Sequence, residues 1–176
     1  MAVDLLDQIL PYVKNAIYPL RTTLPDWKLK EADVARAQST SFRDQSWSTT
    51  QIPYQWIGDK KTLWFRKEIT IPLKFAGKPV AVLLDFQEAL LFVDGKPYHG
   101  LDEHHKEVFL SEKAKVNESF LLAVQSFSGR KRGINTFNYA ELVVINRTAR
   151  ALYNGLTTIR ELDRIVGHGT HESKDI

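Results

Sequence analysis

The order of apolar and polar positions divides the chain into three parts. Leu5, Leu6, Ile9, Val13, Ile17 and Leu20 recur three or four residues apart, the spacing that places side chains on one face of a helix. Pro11 removes a backbone donor and is expected to kink or split that helix; Pro19 is expected to end it. Residues 21–59 follow no period and hold three of the four tryptophans, Trp27, Trp47 and Trp56. Such a segment is expected to wrap a core, pin itself with its aromatic rings and contain short strands.

The period then changes to two. Leu63, Phe65, Ile69 and Ile71 alternate with Trp64, Arg66, Glu68 and Thr70, and Pro72 closes the run. Gly77-Lys78-Pro79 is a turn signal. Residues 80–86 and 89–93 read as strands, and Asp94-Gly95 predicts a type I′ hairpin turn. Residues 108–110, 119–127 and 139–146 complete the set. Short strands in close succession, with no helices between them, predict a mainly β fold, an antiparallel β-sandwich, because a parallel sheet needs a long crossover at almost every step. Its predicted core includes Phe65, Ile69, Val82, Leu84, Leu91, Val93, Leu122, Val124, Val143 and Ile145. Helical spacing returns in Leu152, Leu156, Ile159, Leu162 and Val166, with Gly167 as the expected C-cap and a frayed tail beyond it. The predicted organisation is a helical segment over 1–25, a sandwich over 26–146, and a linker helix with its tail over 147–176. An apolar stripe on a terminal helix needs a surface to bury it, either the sandwich itself or a domain outside this chain.

Composition narrows the function. Of 176 residues, 43% are hydrophobic and 26% charged, enough apolar material for one core. A net charge of +3 is too small to point to nucleic acid as a partner. No apolar run is long enough to predict a membrane span, and the first residues carry acids at Asp4 and Asp7 rather than the basic start of a signal peptide. The sequons at Asn117 and Asn146 are accordingly read as chance matches. There is no cysteine, which excludes disulfides and thiolate metal sites and suits a cytoplasmic location.

Four groups of residues are of types that carry chemistry. Asp85, Glu88, Asp94, Asp102, Glu103 and Glu107 supply carboxylates, and glycoside hydrolysis needs two of them facing across a bond. Their places at strand ends and turns are equally those of ordinary solvated acids. In KPYHGLDEHHKEV, His99, Asp102, His104 and His105 are metal-ligand types, but the spacing matches no zinc signature. The expectation is no metal, with Asp102 capping a turn and one histidine hydrogen-bonded in a structured loop. Arg130, Lys131 and Arg132, between two glycines, read as an exposed loop or a small anion site. Trp47, Trp56 and Trp64 are either sugar-stacking platforms or core residues.

Taken in order, TLWFRKEITIP, GKPVAVLLDF, EALLFVDGKPYHGLD and HHKEVFL resemble the β-sandwich that precedes the catalytic domain in cytosolic and bacterial α-mannosidases of glycoside hydrolase family 38. Leu24-Pro25-Asp26-Trp27-Lys28 resembles that family's linker before the sandwich, and the segment with Ala151-Leu152-Tyr153 resembles the helix leading toward its catalytic barrel. The W-F-R-K run and the V-D-G hairpin also occur in sugar-binding domains of family 2 β-glycosidases. The resemblance implies a galactose-binding-like jelly roll, truncated before the catalytic domain and without catalytic residues or a cofactor of its own. Zinc or another divalent metal is expected in the catalytic domain outside this chain. That domain is the implied partner, with a homo-oligomer and a carbohydrate as further ones. The loop with Tyr98, His99, Asp102, His104 and His105 is expected to face the catalytic domain or a ligand. The alternative function is an autonomous carbohydrate-binding module or the sugar-binding domain of a β-glycosidase.

Overall fold

A computed structural model describes residues 2–129 and 133–169. Among these are eleven strands and two α-helices, arranged as two compact units. One unit is Arg21–Val143, a sandwich of two antiparallel sheets. The other joins the described residues up to Leu20 with those from Val144 onward. The basic run Arg130, Lys131 and Arg132 lies outside the described residues, as does the end of the tail.

In the first sheet β1 (Leu20–Thr23), β11 (Gly133–Val144), β6 (Val80–Phe86) and β9 (Glu107–Ser111) are neighbours in that order, and β4 (Tyr54–Gly58) also pairs with β11. The second sheet runs β3 (Ser48–Gln51), β2 (Asp26–Glu31), β5 (Lys61–Thr70), β10 (Ser119–Ser128), β7 (Ala89–Val93), β8 (Lys96–Leu101). Its backbone is the long β5–β10 pairing, in register from Ser119 opposite Thr70 to Ser128 opposite Lys61. The chain passes from the first sheet to the second at Gln87-Glu88 and back again over residues 102–106.

The period-two pattern sets the inner face. Phe65 from the second sheet meets Phe86 and Phe137 from the first, each at 5.5 Å between ring centroids; Phe86 stacks on Phe137 at 3.9 Å, and Trp27 meets Phe137 edge-on at 5.2 Å. Edge and offset geometries of this kind add to simple area burial. Leu84, Leu91, Leu122, Val124, Val82 and Val143 are fully enclosed around these rings, and Ile69 and Ile145 are buried as expected. Val93 is only half-buried, because it is the last residue before the hairpin turn. That turn is Asp94-Gly95, with φ of 49° and 79° and Val93 opposite Lys96, the left-handed pair a type I′ turn requires. β8 then forms the outer edge of its sheet, with Pro97 opposite Phe92 and a register shift between Leu90 and Phe92.

The outer face of the second sheet departs from simple alternation. Trp64 and Arg66, which alternate with the inward residues of β5, are nevertheless only 3% exposed. Residues 34–47 fold over this face, where Val34, Ala37, Phe42 and Trp47 pack on Trp64, Phe92 and Ala123 as a second small core. Arg66 fastens the cover. It donates to Asp44 Oδ2 at 2.8 Å and to the carbonyls of Ala37, Ser39 and Phe42.

In the helical unit, α1 (Ala2–Ala16) continues through Pro11 without splitting and stops before Leu20, which begins β1. α2 (Arg147–Gly169) is capped by Asn146, whose side-chain oxygen accepts from the Ala149 amide at 3.1 Å. It runs past Gly167, so that glycine is not its cap. α1 and α2 pack together, with Arg160 reaching Asp7 at 3.3 Å. Leu152, Ile159, Leu162 and Val166 nevertheless stay more than half exposed. Among the described residues, no helix is long and apolar enough to cross a membrane.

Candidate functional site

Each tryptophan proposed as a sugar platform is a core residue. Trp47, Trp56 and Trp64 are 6%, 8% and 3% exposed. Trp56 donates through Nε1 to Ser128 Oγ at 2.8 Å and stacks beside Tyr54, while Trp47 and Trp64 belong to the small core under residues 34–47. Their ring faces are spent on packing, so none of them is a platform for a ligand.

The histidine loop is a built turn on the surface. Asp102 Oδ1 accepts from the backbone amides of His104 and His105 at 2.7 and 2.8 Å, and the His105 ring lies 2.9 Å from the same carboxylate. These contacts, the His105 side chain first, hold the Asp102 carboxyl at about 2, below its ordinary 3.8. His104 approaches only the equally exposed Glu103. His99 is tied by its ring nitrogens to the carbonyls of Gly100 and Glu107, at 2.6 and 3.1 Å, and the Tyr98 hydroxyl donates to the Phe109 carbonyl at 2.8 Å. Tyr98 and His99 therefore fasten the edge of one sheet to the edge strand of the other. The Asp102 oxygens are already engaged, and no group of three or more metal-ligand side chains converges among the described residues.

Two more of the carboxylates are also occupied. Asp85 pairs with Lys106 at 2.7 Å, and that contact raises the lysine's pKa. Close by, burial and then the charge of Asp85 push the Tyr139 hydroxyl up. Asp94 accepts from the Leu121 amide at 2.8 Å.

A different surface has the shape of a site. Where the cover of residues 34–47 stops, the outer face of the second sheet opens into a groove of about 490 Å³ lined by Asp33, Thr62, Glu88, Ala89, Leu90, Gln125 and Phe127. β5, β10 and β7 form its floor, since Phe127 is opposite Thr62 and Gln125 is opposite both Trp64 and Leu90. Of these residues only Glu88 stood out in the sequence, as one of six candidate carboxylates. The available signal was Leu90 and Phe127, two large apolar residues at outward positions of strands.

The pattern found in the family of domains described as "Alpha-mannosidase, jelly roll domain" matches residues 18–149, most of the chain and nearly all of the sandwich. The chain belongs to that family.

As an alpha-mannosidase jelly roll domain it shares its fold with parts of larger glycosidases. A β-glucuronidase from Bacteroides uniformis superposes with a TM-score of 0.60 at 18% identity, over 71% of this chain and 18% of that one. A glycosyl hydrolase family 2 member from Bacteroides cellulosilyticus gives 0.56 at 18% identity, over 72% and 20%, and a β-glycosidase from Bacteroides vulgatus gives 0.55 at 20% identity, over 71% and 20%. The likeness is one of fold. The jelly roll chain spans about a fifth of the length of these structures. No curated protein sequence matches it.

Proposed function

We propose that this jelly roll domain is a non-catalytic accessory domain of a glycoside hydrolase family 38 α-mannosidase of the cytoplasmic type, working beside the catalytic domain of the same polypeptide. The observation that carries the reading is the family match over residues 18–149. Two features of the structure support it. Asp94, Asp102 and Asp85 serve as a cap, a turn tie and an ion-pair partner. The stripe Leu152, Ile159, Leu162 and Val166 on α2 is more apolar surface than a helix leaves in water when it has no further partner. In this reading the catalytic domain holds the divalent metal. The exposed loop carrying His104 and Asp102, anchored at its base by Tyr98 and His99, faces that domain.

The test has two arms. The purified chain, given an aryl α-mannoside, is expected to show no turnover above a matched blank; turnover would show that the domain is itself a catalyst. The reading frame beyond Ile176 is expected to continue into a polypeptide with a His-x-Asp metal motif. A frame that encodes no such polypeptide there, or in an adjoining gene, would overturn the assignment to an α-mannosidase.

A further inference from the structure

We propose that the open half of the second sheet's outer face is a binding groove for a neutral saccharide. The inference stands on the chemistry of the lining. From the α-mannosidase reading it takes only the choice of first probe.

The floor offers an apolar step and hydrogen-bonding groups side by side. Phe127 is 58% exposed and Leu90 is 40% exposed, at outward positions of β10 and β7. The outward aromatic borders a concavity. Around it stand the amide of Gln125, the hydroxyl of Thr62 and the carboxylates of Asp33 and Glu88. A pyranose has the matching surface: a face of C–H bonds to lie on Phe127 and Leu90, and a rim of hydroxyls that carboxylates and amides accept from and donate to. The groove's volume of about 490 Å³ suits one or two sugar rings.

Charge decides between saccharides. Among the described residues the lining contains two acidic side chains and no Lys, Arg or His. A uronate or a phosphorylated sugar would bring a like charge against Asp33 and Glu88, with no cationic side chain among the described lining residues to offset it, whereas a neutral ring brings only donors and acceptors. A metal ion is the other ligand that carboxylates suggest, but these two stand without a third ligating side chain among the described residues.

An independent sign comes from Trp64. Its Nε1 is buried and has no hydrogen-bond partner among the described residues. Trp64 lies directly opposite Gln125 and two positions along β5 from Thr62, on the same face as the groove floor. A buried donor without an acceptor carries a desolvation cost unless something outside the protein takes its hydrogen. Trp64 itself is not in the lining, so a water held between ligand and indole would do so.

The experiment is an NMR titration of the intact chain with α-mannobiose, cellobiose and methyl glucuronide. The readouts are the backbone amides of Leu90 and Phe127, the Gln125 side-chain amide and the Trp64 indole N–H. A shallow groove of this size predicts a Kd on the order of 1 mM for the neutral disaccharides. Binding of methyl glucuronide is expected to be at least about tenfold weaker. Phe127→Ala, at an exposed position, is expected to keep the folded spectrum and to weaken binding about tenfold or more. Glu88→Gln should narrow the gap between neutral and anionic sugars. No shift at these groups with any sugar would overturn the groove, as would shifts unchanged by Phe127→Ala, or tighter binding of the uronate. Failure of the groove leaves the reading frame and turnover tests untouched. Binding of cellobiose without α-mannobiose would keep the groove and count against a mannoside-directed role.

Discussion

Removing the Asp44 carboxylate should release the cover over the second sheet. Arg66 is buried on the outer face of β5 and donates to Asp44 at 2.8 Å, with its other contacts going to the carbonyls of Ala37, Ser39 and Phe42. The Coulomb attraction of unit charges at that separation is roughly 6 kcal/mol at an effective dielectric of about 20. Most of it is offset by the cost of bringing the guanidinium out of water. In Asp44→Ala that cost stays while the attraction goes. Breaking a fully buried pair costs about 3–5 kcal/mol. Asp44 is 25% exposed, so water enters in its place, and the three carbonyls still accept; the discounted expectation is about 2 kcal/mol. Urea unfolding followed by tryptophan fluorescence measures it, with Trp47 and Trp64 reporting from beneath the cover. Arg66→Met with Asp44→Ala should be less damaging than the sum of the two single changes, because the uncompensated charge is gone. Amide exchange should rise over residues 36–47 while β10 stays protected. A loss below about 0.5 kcal/mol, or strict additivity of the two changes, would refute the account of Arg66 as the fastener.

Two further outcomes follow from other positions. At Gly58 a β-carbon would lie 2.2 Å from Ser128 Cβ and 2.5 Å from Asn135 Nδ2, so Gly58→Ala should force β4 away from its neighbours and cost roughly 1–3 kcal/mol in denaturant titration. An unchanged midpoint would show that the strand shifts freely. For Asp102, whose carboxyl sits at about 2 when folded against an ordinary 3.8, the lowered pKa means a stabilising contribution present above about pH 4 and lost as pH falls toward 2. Asp102→Asn should flatten that part of the acid-melting curve; an unaltered slope would show that the cap contributes nothing.

The fold was legible where one face of an element alone met the core. Period two in β5 and the Asp94-Gly95 turn specified a sandwich, and the enclosed ring of Phe65 lies where alternation puts it. Alternation failed at Trp64 and Arg66, because what covers them is an aperiodic segment far away in sequence, and its contacts leave no local period. Similarly, burial of Trp47 and Trp56 was not decidable from residue type, since a tryptophan in a loop has the same composition whether it faces a sugar or a core. The turn at Asp102 was readable because its bonds are made within three residues. By contrast, the groove joins Asp33, Thr62, Glu88 and Gln125 from four separated stretches of chain, which only the pairing of β5, β10 and β7 brings together.

β8 determines how another protein can meet this sandwich. A free sheet edge ordinarily offers its unpaired amides and carbonyls to any extended chain. Val93 and Lys96 face each other across the tight turn, so the backbone nitrogen of the next residue points outward, and that residue is Pro97, which has no hydrogen to give. The register shift just beyond it bends the strand out of line with an incoming one. Strand addition is therefore disfavoured at this edge. An extended chain would find an interrupted row of donors along β8, and a partner approaching from this side has to engage side chains.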